Sequence, residues 1–184
     1  VMPKAKEAAE KALSLDDGLA EAHAALGLIQ FLYDYDFAKA ELEFKRAIEL
    51  NPKYGSAHHF YARLLTAVGR HEEALAQIRQ ALEIDPLALP FNWFYGHVLY
   101  FARRYDEAIA QLKKTVELDA GFPGAHYWLA TVHQANRNYS ESVDEYAKGA
   151  ELEGDHQLAQ SVRESFAKDG WTGFLRSSIQ HTES

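Results

Sequence analysis

The sequence predicts an all-α fold, a right-handed α-solenoid of antiparallel helix pairs. Two columns of small residues and a proline punctuation predict it. Gly27, Ala62, Gly96 and Ala130 stand 35, 34 and 34 residues apart, and Ala40, Ala74, Ala108 and Ser142 stand 34 apart throughout. Self-similarity at this period marks a stacked helix–turn–helix unit. Small side chains at fixed places let two helices cross closely. Leu26, Tyr61, Tyr95 and Leu129, one place before the first column, fill the space beside each crossing. Pro52 and Pro86 stand where a second helix must stop, since proline cannot continue it.

The elements follow in order. Residues 4–15 (KAKEAAEKALSL) match only the second helix of a unit, with Ala5, Ala9, Ala12 and Asp17 on its columns. The expected organisation is a second helix of a truncated leading repeat at 1–17, four units at 18–52, 53–86, 87–120 and 121–154, and C-terminal capping helices at 155–184. A chain that begins inside a repeat is expected to be a piece of a longer protein. The second helices open on Phe37, His71, Tyr105 and Tyr139. They carry Phe44, Ile78, Leu112 and Tyr146 four residues after the second small column, then a third small column of Ala47, Ala81, Thr115 and Gly149. Ala120 and Gly154 stand where the first two units have proline. The one extra residue of the first unit falls at 33–37, in a turn that tolerates length change. From Asp155 the columns break, with Arg163 and Glu164 where a Leu-Gly pair is needed. Leu158, Val162 and Phe166 still hold helical spacing, Asp155 reads as an N-cap and Gly170 as a stop. A short helix then carries Trp171, Phe174, Leu175 and Ile179 on one face. Two readings of this tail stand: a cap over the open end of the stack, or a self-association surface anchored by Trp171 and Phe174.

Composition bounds the function. With 47% apolar residues in 184, one elongated domain has material for a continuous core. No run of 18 apolar residues exists, so no membrane insertion is expected, and no signal-peptide pattern opens the chain. The cytoplasm is the expected compartment, with an extracytoplasmic domain of a membrane-anchored parent as the alternative. Asp and Glu outnumber Lys and Arg by 27 to 19, a net charge of −8, which argues against a nucleic-acid partner. The absence of cysteine excludes disulfides and thiolate metal sites. No nucleophile elbow, phosphate loop or zinc-protease motif occurs, so no catalytic residue, cofactor or metal is assigned. His23, His58 and His126 occupy the same place in three of the units, as a ladder at the inter-helix seam. His58 and His59, adjacent on a helix, point about 100° apart and chelate poorly. His59 and His97 are expected to approach each other without enough further ligands to hold a metal.

Across residues 20–154 these columns resemble the tetratricopeptide repeat at nearly every position, in four copies. The resemblance implies a non-catalytic scaffold that binds a protein or peptide segment along the first helices, which line the concave face. The residues off the packing seam are then Glu21, Ala24, Leu28 and Phe31; His59, Arg63 and Thr66; Trp93, His97 and Tyr100, with Phe101; and Tyr127, Thr131 and Gln134. Phe31 and Phe101, near helix ends, stand either in the groove or against the next unit, whereas Trp93 and Tyr127 are expected to be exposed. The chaperone-binding members clamp a terminal carboxylate with Lys, Asn and Arg. Here only Arg63 stands at such a place, so that clamp is absent. The stretches YDYDFAKAELEFKRAIELNP, AHHFYARLL, DPLALPFN and VLYFARRYDEAIAQLKKT are similar to repeat regions of large bacterial signalling proteins, linked there to a kinase or a winged-helix domain. The alternative function is self-association, and a third is small-ligand sensing in the aromatic groove.

Overall fold

The computed structural model describes residues 2–182, and all regular structure among them is helical. The elements are α1 (Met2–Leu15), α2 (Ala20–Leu32), α3 (Phe37–Leu50), α4 (Gly55–Ala67), α5 (His71–Ile84), α6 (Leu89–Phe101), α7 (Tyr105–Leu118), α8 (Pro123–Ala135), α9 (Tyr139–Leu152) and α10 (His156–Thr182). The chain divides after Ala102 into two compact units, α1–α6 and α7–α10. Local chemistry sets several of the ends. Asp36 caps α3 by accepting from the Lys39 amide at 3.1 Å, and Asp155 caps α10 by accepting from the Leu158 amide at 2.9 Å. Proline falls in the first turn of α6 and α8, where its missing N–H costs nothing.

The helix pairs turn on residues at the same 34-residue interval. Tyr35, Gly69, Arg103 and Arg137 have φ of 55°, 79°, 61° and 62°. Only one of the four is glycine, so three turns hold an L-residue in the left-handed region at a modest steric cost. Within α10, Gly170 (φ 62°, ψ −149°) breaks the helix. The two halves fold back on each other, with the hydroxyls of Ser161 and Ser177 2.7 Å apart. The approach is close enough that a Cβ on Gly173 would lie 2.0 Å from the Ser165 carbonyl oxygen.

In the first unit, successive helices pack as hairpins α2–α3 and α4–α5, and α2 also touches α4, as α4 touches α6. The first helices thus form a continuous layer. Its core is the column chemistry read from the sequence: Ala40, Phe44, Ala47, Ala62, Ala74, Ile78 and Ala81 have no exposed surface. A polar knot ties the outer edge. The Tyr61 hydroxyl donates to Glu41 at 2.8 Å, Arg70 donates to it at 2.7 Å, and Lys45 pairs with it at 2.8 Å. These partners, Lys45 foremost, hold the Glu41 carboxyl down at about 2.

In the second unit α8 and α9 pack as a hairpin, α7 packs on α8, and α10 covers α9. Ala108, Leu112, Thr115 and Ala147 are fully buried, and Ser142, almost fully so, donates its hydroxyl to the Ala130 carbonyl at 2.8 Å. The face of α9 bearing Val143, Ala147 and Ala150 is covered by Leu158, Ala159, Val162 and Phe174, with Tyr146, Phe166 and Trp171 around them.

Candidate functional site

The groove residues expected in the first unit sit on its first-helix layer, but in graded exposure. Glu21 is exposed; Leu28, Phe31, His59, Arg63, Thr66, Trp93 and Tyr100 are half-buried; Ala24 and His97 are buried. Ala24 is a correction: it has no exposed surface and belongs to a small cluster with Ala47 and Ala57 at the helix crossing. His97 is another, because Trp93 stands edge-on against it at 4.3 Å and Phe94 lies 5.6 Å away. Trp93 is therefore itself half-buried rather than free in solvent as expected. His59 lies 5.2 Å from both Phe91 and Phe94. Phe31 meets Phe37 edge-on at 5.9 Å, and Phe101 is 47% exposed. Thr66 spends its hydroxyl on the Ala62 carbonyl of its own helix at 2.8 Å. The face is thus a pavement of rings around one cation, Arg63.

Burial, and secondarily the Arg63 charge, keep both imidazoles neutral: His59 is drawn down to about 4 and His97 to about 3. Both values lie below the ~6.5 of an unfolded histidine. Stability from this cluster is complete above about pH 6.5 and falls as pH drops toward 4, because only the unfolded chain takes up these protons. Replacing His97 with Gln is expected to flatten that limb. Between pH 7 and pH 4 the parent should lose about 3 kcal/mol more than the variant. Urea melts at stepped pH check this, and equal slopes would show that His97 protonates freely in the fold.

In the second unit, Tyr127, Thr131 and Gln134 line a cleft of about 540 Å³. Its other wall is Phe174, Leu175, Ser178 and Ile179, so the C-terminal helix lies across the face where a partner was expected. Tyr127 also corrects the expectation that it stands outside the seam. Its ring fills the space over Gly149, where a Cβ would come within 2.7 Å, and its hydroxyl donates to Glu153 at 2.7 Å. Thr131 returns its hydroxyl to the Tyr127 carbonyl at 2.9 Å. The tail aromatics are spent inside the chain: Trp171 stacks on Tyr139 at 4.8 Å and on Phe174 at 4.7 Å.

The histidine ladder ties first helices to the turns before them. His23 bonds Glu43 at 2.6 Å and the Asp17 carbonyl at 3.0 Å; His58 bonds Gln77 at 2.8 Å and the Pro52 carbonyl at 3.0 Å. His126 bonds Glu145 at 2.6 Å. Sequence reading missed the fourth rung, Asn92, which donates to the Pro86 carbonyl at 2.8 Å. Its 34-residue offset from His58 and His126 was the available signal. Among the described residues no group of three or more His, Cys, Asp or Glu converges on a metal position, and no helix is long and apolar enough to cross a membrane.

A family model for the tetratricopeptide repeat matches residues 31–90 and 101–165. Solved structures share the fold at low identity. A crystal structure of MamA is similar at TM-score 0.71 and 19% identity, over 85% of this chain and 91% of that chain. YrrB, described as a TPR protein with an unusual peptide-binding site, is similar at TM-score 0.69 and 21% identity, over 89% of this chain and 84% of that chain. A double mutant described as MamA RS-1 ArsTM is similar at TM-score 0.71 and 16% identity, over 83% and 85%. No curated protein matches the chain significantly.

Proposed function

We propose that this chain, which belongs to the tetratricopeptide repeat family, is a non-catalytic module that binds a peptide or protein segment on its first-helix face. The observation that carries this is the first unit's layer of α2, α4 and α6, which presents half-buried Trp93, Tyr100, His59 and Arg63. A partly exposed aromatic face of this kind marks an interaction site. The peptide-binding site named for YrrB supports the same reading. The net charge of −8 favours a protein partner over nucleic acid. We read residues 18–52, 53–86, 87–120 and 121–154 as four repeats, 1–17 as the second helix of a preceding one and 155–184 as the cap. The likeness of the quoted stretches to bacterial signalling proteins supports a place as the scaffold of a larger regulatory protein. A second reading, self-association, rests on Leu175 and Ile179, which are 40% and 58% exposed beside the second unit's cleft. Light scattering at rising concentration reads it directly.

A random dodecapeptide library panned on the immobilised chain tests the main reading. An enriched peptide, synthesised and titrated by fluorescence anisotropy, is expected to bind about 30-fold more weakly to Trp93→Ala, the cost of a central aromatic anchor. A melt of the variant accompanies the titration, because Trp93 also shields His97. A folded variant with unchanged affinity would move the site off this face.

A further inference from the structure

We infer that the C-terminal limb of α10, residues 171–182, exchanges between two copies of this chain, so that the limb of each lies on the Tyr127 face of the other. This rests on the self-association reading above and replaces a surface contact with an exchange of helices.

The rings suited to anchor an association are already engaged inside the chain. Trp171 stacks on Tyr139 at 4.8 Å, and Phe174, 5% exposed, stands edge-on to Tyr146 at 5.4 Å. Contacts buried within one chain are remade between two when the connection opens. Here the connection is one residue. Gly170 (φ 62°, ψ −149°) is the non-helical residue inside α10, and helix continues on both sides of it without a loop. That backbone region is open to glycine and strained for any L-residue. The reversal also removes helical partners from up to four amides and four carbonyls, and straightening α10 returns them. A hinge this short invites exchange. The entropy of bringing two copies together opposes it, so the exchanged dimer gains with concentration.

The contacts across the hairpin fit a two-fold pair. Ser161 and Ser177, whose hydroxyls are 2.7 Å apart, stand eight residues either side of Asp169. Ser165 and Gly173, where a Cβ on the glycine would meet the serine carbonyl, stand four residues either side of it. Two straightened helices laid antiparallel about an axis at Asp169 remake both contacts between copies. Arg176, 4.0 Å from Asp169 across the hairpin, is then supplied by the second copy. The apolar seat of the limb is conserved, and the two forms differ at the hinge. Beyond Phe174 the limb is also loosely seated. A cleft of about 540 Å³ remains between it and Tyr127, Thr131 and Gln134, and Leu175 and Ile179 are 40% and 58% exposed. Few buried contacts hold this end, so its release is a local opening rather than unfolding of the unit.

The chain has no cysteine, so single-cysteine versions report the exchange without background. Ser161→Cys and Ser177→Cys chains are unfolded together in urea, refolded at high and at low concentration, and oxidised. Only exchange brings a thiol at 161 of one chain to a thiol at 177 of another. A covalent heterodimer exceeding either homodimer is expected at high concentration, and it should fade on dilution. Gly170→Ala is expected to raise the dimer association constant at least about tenfold, because two strained hinges are relieved. Light scattering reads that change. If this variant does not fold, the two cysteine chains decide alone. A dimer by light scattering without the heterodimeric link would overturn the exchange and leave association through Leu175 and Ile179 standing. A folded Gly170→Ala chain no more dimeric than the parent would also overturn it. A monomer at every concentration would sink both the exchange and the self-association reading, while peptide binding keeps its own test.

Discussion

A chain ended at Gly154 is expected to lose cooperative folding of its second unit and to aggregate. The cause is the face of α9. Val143, Ala147 and Ala150 are 2%, 0% and 0% exposed because Leu158, Ala159, Val162 and Phe174 lie on them. Truncation strips off five large apolar side chains, Leu158, Val162, Phe166, Trp171 and Phe174, and leaves their partners wet. At about 1.5–3 kcal/mol for each buried side chain, the loss is roughly 10 kcal/mol, comparable to the whole stability of a domain. The remaining apolar patch would recruit other copies. Size-exclusion chromatography and circular dichroism read the outcome, and a soluble monomer melting with the parent would refute the capping role of 155–184. Phe174→Ala is the graded version. Its ring is 5% exposed, wedged against Tyr146 at 5.4 Å and Trp171 at 4.7 Å, so about 3 kcal/mol should be lost.

The packing column was legible in the sequence and the surface was not, for one physical reason. A helix crossing demands a small residue at each recurrence, so Gly27, Ala62, Gly96 and Ala130 announce themselves by identity. All four are buried. A left-handed turn makes a weaker demand, because glycine is preferred but not required. Tyr35, Arg103 and Arg137 take the same conformation as Gly69, and nothing in their types reveals it. The groove was harder still. Which first-helix residues reach solvent depends on what stands opposite. Tyr127 is drawn into the seam by Gly149, 22 residues later, and His97 is covered by its neighbour Trp93. The crossing of the C-terminal helix onto the Tyr127 face depends on the reversal at Gly170, which the sequence marked only as a stop.

Phe44→Ala is expected to cost the first unit about 3–5 kcal/mol, the range for emptying a buried phenylalanine site. Phe44 has no exposed surface and joins three elements: it leans on Phe60 at 6.4 Å and Tyr61 at 6.3 Å, and its ring edge occupies the space beside Gly27. A Cβ on Gly27 would lie 2.8 Å from that ring, so Gly27→Leu should itself cost about 2–4 kcal/mol by overpacking. The two substitutions act on one volume, which makes them diagnostic together. With Phe44 reduced to alanine, the cavity receives the leucine side chain. The double variant should therefore be more stable than the sum of the single losses by at least about 1 kcal/mol. Urea unfolding of the four proteins gives the coupling. Strict additivity would show that Gly27 and Phe44 do not share the crossing, and that the glycine in this repeat column serves its turn or backbone rather than the close approach of α2 to α3.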